Sequence, residues 1–526
     1  MLPDLVYSCY LIHRKSPLEE TNAIELKNIT KRFGNVIAND NINLSVRKHE
    51  ILAILGENGS GKTTLMNIIS GIYRPDKGSI FINGKEAVIH SPEDAYKYKI
   101  GMIHQHYKLV NVLTAAENII LGQPGSFILN MKEVKQRINQ ICNEYGFILN
   151  LDQKIYDMSV SQKQTVEIVK TLYRGADILI LDEPTAVLTP QEIKSLFAVL
   201  RNMKNAGKSI IIITHKLQEV LDISDRVAVL RKGEYIDSVL TVKTSITELT
   251  EMMVGEKISL YINRSEPKNS GLRLAVQHLT CLNKEGVKML DDVSFTANSG
   301  EILGIAGIAG GGMKELLEAI AGIQPIEKGT ISYYRNDGSE ITISGMLPNE
   351  IKKTGASISF VPEDRLGMGL IGSMGTTGNL MLKSYQTGKT PIVNRVSPRR
   401  LAEKIIKSLE ISTPGTEFPV QKLSGGNVQK VLVGREISSD PGVLMVAYPV
   451  RGLDINSSYT IYNQLNAEKA KGVAVISVIE DLDVILELCD RILILNSGHI
   501  TGLLDARKAT KEQIGLLMTS AGEQHE

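Results

Sequence analysis

One segment of the sequence has the residue types and spacing of a phosphate-binding loop, Gly-x4-Gly-Lys-[Ser/Thr]. Glycines let backbone amides close around phosphate oxygens, and the helix that follows adds its positive end. In such a loop the lysine neutralises the β- and γ-phosphates, and the hydroxyl after it is a ligand of Mg²⁺. We therefore expect the segment to bind ATP and Mg²⁺ through Gly56, Glu57, Asn58, Gly59, Ser60, Gly61, Lys62, Thr63 and Thr64.

Two carboxylates follow a buried strand further along the chain. The apolar run Ile178–Leu181 predicts the strand, and Asp182 and Glu183 come at its end, where they face the phosphate loop. We expect Asp182 to hold Mg²⁺ through water and Glu183 to polarise the attacking water. An Asp-Glu pair after a strand is more often a solvated loop, but the phosphate loop upstream favours the catalytic interpretation.

Two polar side chains complete this candidate site. His215 ends the predicted strand 210–214, where it would contact the γ-phosphate, with a purely structural role as the alternative. Gln105 follows another predicted strand, and its amide would sense both Mg²⁺ and the attacking water. The predicted catalytic set is therefore Lys62, Gln105, Glu183 and His215, and the predicted metal set is Thr63, Gln105 and Asp182.

A broken copy of the loop lies at 307–314, and the approach to the loop is repeated with it, at 50–56 and 301–307. The chain is thus a tandem repeat of one ATP-handling domain, and its 526 residues suit two domains. We predict a disordered N-terminal extension at 1–22, a first domain at 23–255, a polar linker at 256–271 and a second domain at 272–526.

The predicted elements around the loop are those of an α/β fold. A buried strand at 51–55 precedes the loop and a helix at 63–70 follows it, which is the context that a phosphate loop requires. The all-apolar runs at 178–181 and 210–213 each follow a helical stretch. Runs of this kind are typical of a parallel sheet that is covered on both faces.

Composition argues against several classes of protein. The balance of 59 basic and 58 acidic residues argues against a protein held by nucleic-acid phosphates. Four widely spaced cysteines without a Cys-x-x-Cys pair argue against structural zinc or a disulfide framework. The sequence has no apolar run long enough to span a membrane, and the apolar stretch at 5–12 lacks the basic region of a signal peptide.

Together these motifs resemble the ATP-binding subunits of ABC transporters over nearly the whole chain. The signature Leu-Ser-Gly-Gly-Gln of that family appears in the second copy as Leu423-Ser424-Gly425-Gly426-Asn427, and in the first as Met158-Ser159-Val160-Ser161-Gln162. Phe33 stands where the family stacks an aromatic ring on adenine, with a core phenylalanine as the alternative. The resemblance implies two tandem P-loop domains, each with a RecA-like, mainly parallel sheet, an antiparallel β subdomain and a helical subdomain.

In this family two domains meet head to tail, and each ATP lies between the phosphate loop of one and the signature of the other. The resemblance thus implies one complete site, which joins the first phosphate loop to Ser424, Gly425, Gly426 and Asn427, with Asp454 as the D-loop carboxylate. The losses all fall in the other site. They are Met313 and Lys314 in the loop, Ala447 and Tyr448 at the two carboxylates, Glu480 at the histidine, Glu363 at the glutamine, Val160 and Ser161 in the signature and Thr189 in the D-loop.

Tandem chains with one such altered site look like the ATPase subunits of importers for simple sugars and nucleosides. The phrases at 361–365, 423–430 and 451–454 are typical of that group, and those at 101–106 and 172–192 favour its nucleoside branch. The resemblance implies a peripheral protein at the cytoplasmic face of the membrane, without nucleic acid as a partner. Its partners would be membrane-spanning permease subunits, docked on 109–121 and its second-copy counterpart, and an extracytoplasmic substrate-binding protein.

The alternative from another class is a soluble tandem ABC ATPase that acts on ribosomes or nucleic acid. Such proteins usually keep two intact sites and a long charged linker, whereas this chain has one altered site and a short linker.

Overall fold

The computed structural model describes residues 22–104, 107–123, 130–186, 188–255, 262, 264–267, 271–283, 285–308, 310–385 and 393–519. The chain divides into two compact units, one of Met1–Pro184 with Leu196–Met253 and one of Thr185–Ser195 with Val254–Glu526. Of the predicted N-terminal extension only Asn22 is described, and it begins the first strand. The predicted domain boundaries stay a prediction.

An antiparallel sheet opens the first unit, with the strand order β2-β1-β4-β5. Its strands are β1 (Asn22–Phe33), β2 (Val36–Arg47), β4 (Lys77–Ile82) and β5 (Lys85–Ala87). Ile42, Leu44 and Val46 alternate along β2 with more exposed residues and are buried, so one face of this sheet lies on the core.

The second sheet of this unit has the order β10-β9-β3-β8-β7-β6. It comprises β3 (Ile51–Leu55), β6 (Ile100–Ile103), β7 (Ile178–Asp182), β8 (Ser209–Ile213), β9 (Arg226–Arg231) and β10 (Glu234–Leu240). All neighbouring pairs are parallel except β9 with β10. Every residue of β3 and β8 is buried, which confirms the sheet that the apolar runs predicted.

Eight helices belong to the described residues up to Val254. They are α1 (Lys62–Ile69), α2 (Pro92–Lys97), α3 (Ala115–Ile120), α4 (Met131–Tyr145), α5 (Val160–Tyr173), α6 (Pro190–Asn205), α7 (Leu217–Ile223) and α8 (Ile246–Val254). α1 starts directly after the phosphate loop, as predicted. α3 and α4 both pack on α5 and form the helical part of the unit.

The second unit repeats this topology. Its antiparallel sheet has the order β12-β11-β14-β15, and its six-stranded sheet has the order β20-β19-β13-β18-β17-β16. The strands are β11 (Leu272–Leu282), β12 (Lys288–Asn298), β13 (Ile302–Gly307), β14 (Lys328–Tyr334), β15 (Glu340–Thr342), β16 (Ile358–Val361), β17 (Val443–Ala447), β18 (Ala474–Val478), β19 (Arg491–Asn496) and β20 (His499–Asp505). The tandem repeat read from the sequence is therefore confirmed in the strand order.

The helices of the second unit follow the same plan. They are α9 (Met313–Ile320), α10 (Pro348–Thr354), α11 (Thr376–Ser384), α12 (Val396–Ser408), α13 (Gly425–Ile437), α14 (Ile455–Ala470), α15 (Leu482–Leu488) and α16 (Lys511–Thr519). A π-helical turn, Arg365–Gly369, comes before α11. Over the part of the chain that the structure describes, none of the helices is both long enough and apolar enough to cross a bilayer.

The described part of the predicted linker packs on the second unit. Ile262 is buried in its hydrophobic core, and the Arg264 guanidinium donates to the carbonyls of Leu486, at 3.0 Å, and Cys489. The buried ammonium of Lys469 donates to the carbonyl of Ser265 at 2.6 Å. The described residues between 262 and 266 thus belong structurally to the second unit, although their composition is that of a polar linker.

Candidate functional site

The phosphate loop connects the carboxyl end of β3 to the first turn of α1. Gly56 and Gly61 have φ of 157° and 95°, and a Cβ at either would lie 2.2 Å from a backbone carbonyl oxygen, of Leu230 and Ala38 respectively. The neighbouring backbone therefore requires glycine at both positions. At Gly59, also at positive φ, a Cβ would meet no atom within 4 Å, so the loop has open space beside its middle.

The Lys62 side chain folds back on the loop. Its ammonium donates to the carbonyls of Gly56, at 2.6 Å, and Glu57, at 2.8 Å. Burial lowers the pKa of Lys62, and the carboxylates of Glu183 and Asp182 act against that shift. The buried hydroxyl of Ser60 has no hydrogen-bond partner among the described residues. A ligand phosphate supplies acceptors for both groups, so this cradle fits a nucleotide.

Asp182 lies at the end of β7 beside the start of α1. Burial and the nearby Glu183 raise the pKa of Asp182 to about 6, while Lys62 and a hydrogen bond with Thr63 act in the opposite direction. Two close carboxylates and a hydroxyl form an oxygen-only donor set, which is the set that Mg²⁺ prefers when it keeps several waters. The residues present therefore fit a magnesium ion. Gln105, predicted as its further ligand, lies outside the described residues.

Glu183 and His215 form the candidate catalytic pair. The Glu183 carboxylate lies 3.0 Å from Nδ1 of His215, and the backbone of Glu183 has a left-handed φ of 47°. The hydrogen bond with His215 lowers the pKa of Glu183, and burial opposes it. The carboxylate is therefore ionised at neutral pH and can accept a proton from water. A strained φ at such a position is common where a side chain must be aimed at a ligand.

The remaining predicted residues of the first unit are Phe33, in β1, and two threonines of α1. Phe33 ends β1 with 44% of its surface exposed, and its ring packs edge to face on Tyr73 with the centroids 5.2 Å apart. The Lys31 ammonium lies 5.5 Å from the centroid of the same ring. Phe33 is thus a partly exposed ring and not a core phenylalanine, and its stacking on adenine stays a prediction. Thr63 and Thr64 occupy the first turn of α1, where Thr63 is exposed.

The predicted signature segment forms the start of α13. Ser424 is the N-cap, and its hydroxyl accepts hydrogen bonds from the backbone of Asn427, at 3.5 Å, and from its side chain, at 2.9 Å. In the first unit Ser159 caps α5 in the same way, with Gln162 completing a capping box. Both signatures are thus helix starts, and only the second keeps the two glycines.

The second loop has kept its backbone and lost its charge. A Cβ at Gly307 or Gly312 would lie 2.5 Å from the carbonyl oxygen of Leu495 or Met289, as at the matching glycines of the first loop. Met313 stands in place of the loop lysine and is buried, while Lys314 is exposed and lies 3.8 Å from Glu318. Lys314 is thus a surface lysine beside an acidic side chain of its own helix, whereas Lys62 is buried against its loop.

Several contacts at these sites were not predicted from the sequence. At the carboxyl edge of the second sheet Arg451 contacts Glu363 and lies 3.6 Å from Glu480. Asn118 and Asn379, both fully buried, hold the loops that lead into α3 and α11. The sequence identifies the segments that contain Glu363 and Arg451 as motifs. The contact between the two side chains, however, depends on the strand order.

The fold and the loop define a tandem P-loop ATPase, and comparison with known proteins gives its family. The family model described as ABC transporter matches residues 39–186 and 290–449. The Nucleoside import ATP-binding protein NupA of Lactococcus lactis subsp. cremoris is 39% identical over 94% of this chain and 97% of its own length. The Guanosine import ATP-binding protein NupO of Bacillus subtilis is 40% identical over 95% of this chain and 97% of its own length. The Glucose import ATP-binding protein TsgD13 of Haloferax volcanii is 36% identical over 95% of this chain and 96% of its own length.

The chain belongs to the ABC transporter family, as one of its ATP-hydrolysing subunits. This confirms the resemblance and the fold class that the sequence motifs indicated.

Proposed function

We propose that this chain is the ATP-hydrolysing subunit of an importer for nucleosides or simple sugars, with one active and one altered ATP site. The assembly of Lys62, Asp182, Glu183 and His215 around one intact loop carries the proposal. Full-length similarity to import ATP-binding proteins for nucleosides and sugars supports it and gives no support to a ribosome or nucleic-acid function. Nucleosides are favoured as cargo by the motifs at 101–106 and 172–192 and by two of those relatives.

The residues of the first unit divide the work of hydrolysis between them. Lys62 exchanges its two carbonyl acceptors for the β- and γ-phosphates, and Phe33 stacks on the adenine. Thr63, Asp182 and Gln105 would hold Mg²⁺, which would offset the charge of the phosphates. Glu183 accepts the proton of the attacking water, and His215 orients its carboxylate. Glu57, Asn58, Ser60 and Thr64 line the loop.

The second half contributes its signature rather than its loop. In the ATP-bound state Ser424, Gly425, Gly426 and Asn427 complete the site of the first loop, together with Asp454. The neutral Met313 and the missing carboxylates at Ala447 and Tyr448 leave the second loop without turnover. The support for this division is that every loss falls in one of the two sites that the family arrangement defines.

Membrane-spanning permease subunits are the proposed partners, with an extracytoplasmic substrate-binding protein in the same system. The chain then lies as a peripheral protein on the cytoplasmic face of the membrane. Exposed apolar side chains support docking segments in both halves, Val110 and Val112 in one and Leu366, Met368 and Ile371 in the other. Exposed apolar groups clustered in this way mark surfaces that a partner covers.

Glu183→Gln tests the function because it removes the proton acceptor and keeps the size of the side chain. We expect phosphate release to fall about 100-fold or more, while ATP binding to the purified chain persists. Glu86→Gln, at an exposed position of β5, is the matched control and keeps wild-type turnover. Hydrolysis that survives Glu183→Gln would remove the catalytic assignment.

Transport is tested in cells that carry either the wild-type or the Glu183→Gln chain. Uptake of labelled guanosine should stop with Glu183→Gln, while uptake of labelled ribose or galactose should continue. Loss of sugar uptake alone moves the chain to the sugar branch. If neither uptake changes although the purified wild-type chain hydrolyses ATP, the importer proposal is wrong.

A further inference from the structure

An arginine crosses the carboxyl edge of the second sheet where the first sheet carries its catalytic pair. Arg451 follows β17, and its guanidinium contacts the carboxylate of Glu363, after β16, and lies 3.6 Å from that of Glu480, after β18. The same guanidinium lies 5.6 Å from the ring centroid of Tyr448. One cation therefore joins the ends of three adjacent parallel strands.

A second arginine ties this edge to the signature. Arg365 donates from one nitrogen to the carbonyl of Gly425, at 3.4 Å, and from another to the carbonyl of Arg451. Gly425 is the first residue of α13, directly after the N-cap Ser424. The planar guanidinium thus bridges the start of the signature helix and the turn after β17, which a single point charge does less well.

The signature and the D-loop are also in direct contact. A Cβ at Gly426 would lie 3.2 Å from Oγ of Ser457 and 3.4 Å from Oδ2 of Asp454. Asp454 caps α14, since its carboxylate accepts from the backbone of Ser457, at 2.7 Å, and from its hydroxyl, at 2.8 Å. The closeness leaves little room for a side chain at Gly426, so the starts of α13 and α14 lie side by side.

Arg365 belongs at the same time to an exposed turn. It is the first residue of the π-helical turn, whose cap Asp364 accepts hydrogen bonds from the backbone of Leu366 and Gly367. Leu366 and Met368 on this turn are exposed. A displacement of the turn therefore moves the side chain that holds Gly425 and the carbonyl of Arg451.

The sequence of the first half has no arginine at either matching position. Counted from the ends of the matching strands, Tyr107 stands at the position of Arg365 and Ala186 at that of Arg451. Val160 takes the place of Gly425 at the start of α5. At these positions arginine therefore occurs only in the half whose signature keeps its glycines.

We propose that Arg365 and Arg451 are positioning residues that hold the signature at Ser424–Gly426 and the D-loop carboxylate Asp454 in the conformation needed for hydrolysis at the first phosphate loop. The altered edge of the second sheet is then a brace for the signature, and the exposed turn at Arg365–Gly369 carries one end of that brace. This inference rests on the proposed function, because it assigns the brace to the ATPase site described there.

Arg365→Met in the full-length chain tests the brace. We expect kcat for ATP hydrolysis to fall by about 10- to 100-fold, with KM for ATP and binding of a non-hydrolysable ATP analogue changed by no more than about threefold. Arg365→Lys should recover part of kcat, because an ammonium reaches one of the two carbonyls. The double variant Arg365→Met/Arg451→Met should cost less than the product of the two single effects, since both remove one network.

The controls separate failure of the brace from failure of the proposed function. Arg399→Met removes an exposed arginine of the same unit that lies 3.4 Å from Glu403, and it should leave kcat unchanged. Thermal melting of each variant shows whether the second unit stays folded. A kcat for Arg365→Met within about twofold of wild type, or an equal loss in Arg365→Met and Arg399→Met, overturns the brace. Absence of hydrolysis in the wild-type chain, or its survival in Glu183→Gln, overturns the proposed function instead.

Discussion

Glu183 and Tyr448 occupy the same backbone position in the two units and differ only in what the side chain can do. Their φ angles are 47° and 50°, both left-handed. Glu183 is an ionised carboxylate beside His215, whereas burial raises the pKa of the Tyr448 phenol to about 12. The second site has therefore lost its proton acceptor while this position has kept its left-handed φ.

Tyr448→Glu should not restore turnover at the second site. The loop still has Met313 in place of the lysine and Ala447 in place of the metal-binding carboxylate, so phosphate charge stays uncompensated. In a Glu183→Gln background, phosphate release should stay within about twofold of that background. A tenfold gain would show that the second site needs only its general base.

The sequence predicts a first candidate site because the residue types that its chemistry requires stand in short, contiguous motifs. Glycines, lysine and hydroxyl come together in the loop, and both carboxylates directly follow a buried strand. The contact between Arg451 and Glu363 was not predictable, since the two residues are 88 positions apart and meet only because β16 and β17 are neighbours. The sequence does not predict the left-handed φ of Glu183 either.

At the scale of elements, buried asparagines shape the loops in front of α3 and α11. The Asn118 side chain accepts from the amide of Val110, at 2.8 Å, and donates to the carbonyls of Val110, at 3.1 Å, and Thr114, at 3.0 Å. Asn379 makes the same bonds to Ile371 and Gly375. The apolar runs predict the buried strands, and the loop glycines predict the start of α1. A single asparagine in a short helix, by contrast, does not indicate that its side chain is buried.

Asn118→Ala should destabilise the first unit by about 2–3 kcal/mol, because it leaves the amide and carbonyl of Val110 without their partner. Urea unfolding followed by circular dichroism measures the loss of stability as a lower urea concentration at the midpoint of the unfolding transition that the variant affects. Asn111→Ala, an exposed asparagine of the same loop, should change the midpoint little. Equal midpoints for the two variants would contradict the role of the buried amide.

At the scale of the whole molecule, both halves keep the glycines that their backbones require. Gly56 and Gly61 have their equivalents in Gly307 and Gly312, with the same close carbonyls. The side chains that handle phosphate and water are kept only in the first half. The backbone requirements of folding therefore apply to both copies, whereas the side-chain requirements of hydrolysis are met only in the first.

Tight nucleotide binding should accordingly reach about one molecule per chain. We expect calorimetric titration of the Glu183→Gln chain with Mg²⁺-ATP to show one strong site, which Lys62→Ala abolishes because the loop loses its cation. Lys314→Ala should leave the titration unchanged, since Lys314 is exposed beside Glu318. Two strong sites of equal affinity would mean that Met313 is compatible with phosphate binding.

The attachment of Ile262 and residues 264–266 decides where this polypeptide can be divided into two separately encoded chains. A break ahead of Ile262 leaves the second chain with its own core residue and with the carbonyl of Ser265 that accepts from Lys469. A break at Gly271, which composition alone suggests, removes that acceptor from a buried ammonium that also pairs with Asp490 at 2.8 Å. A division that keeps these contacts within the second half therefore lies ahead of Ile262.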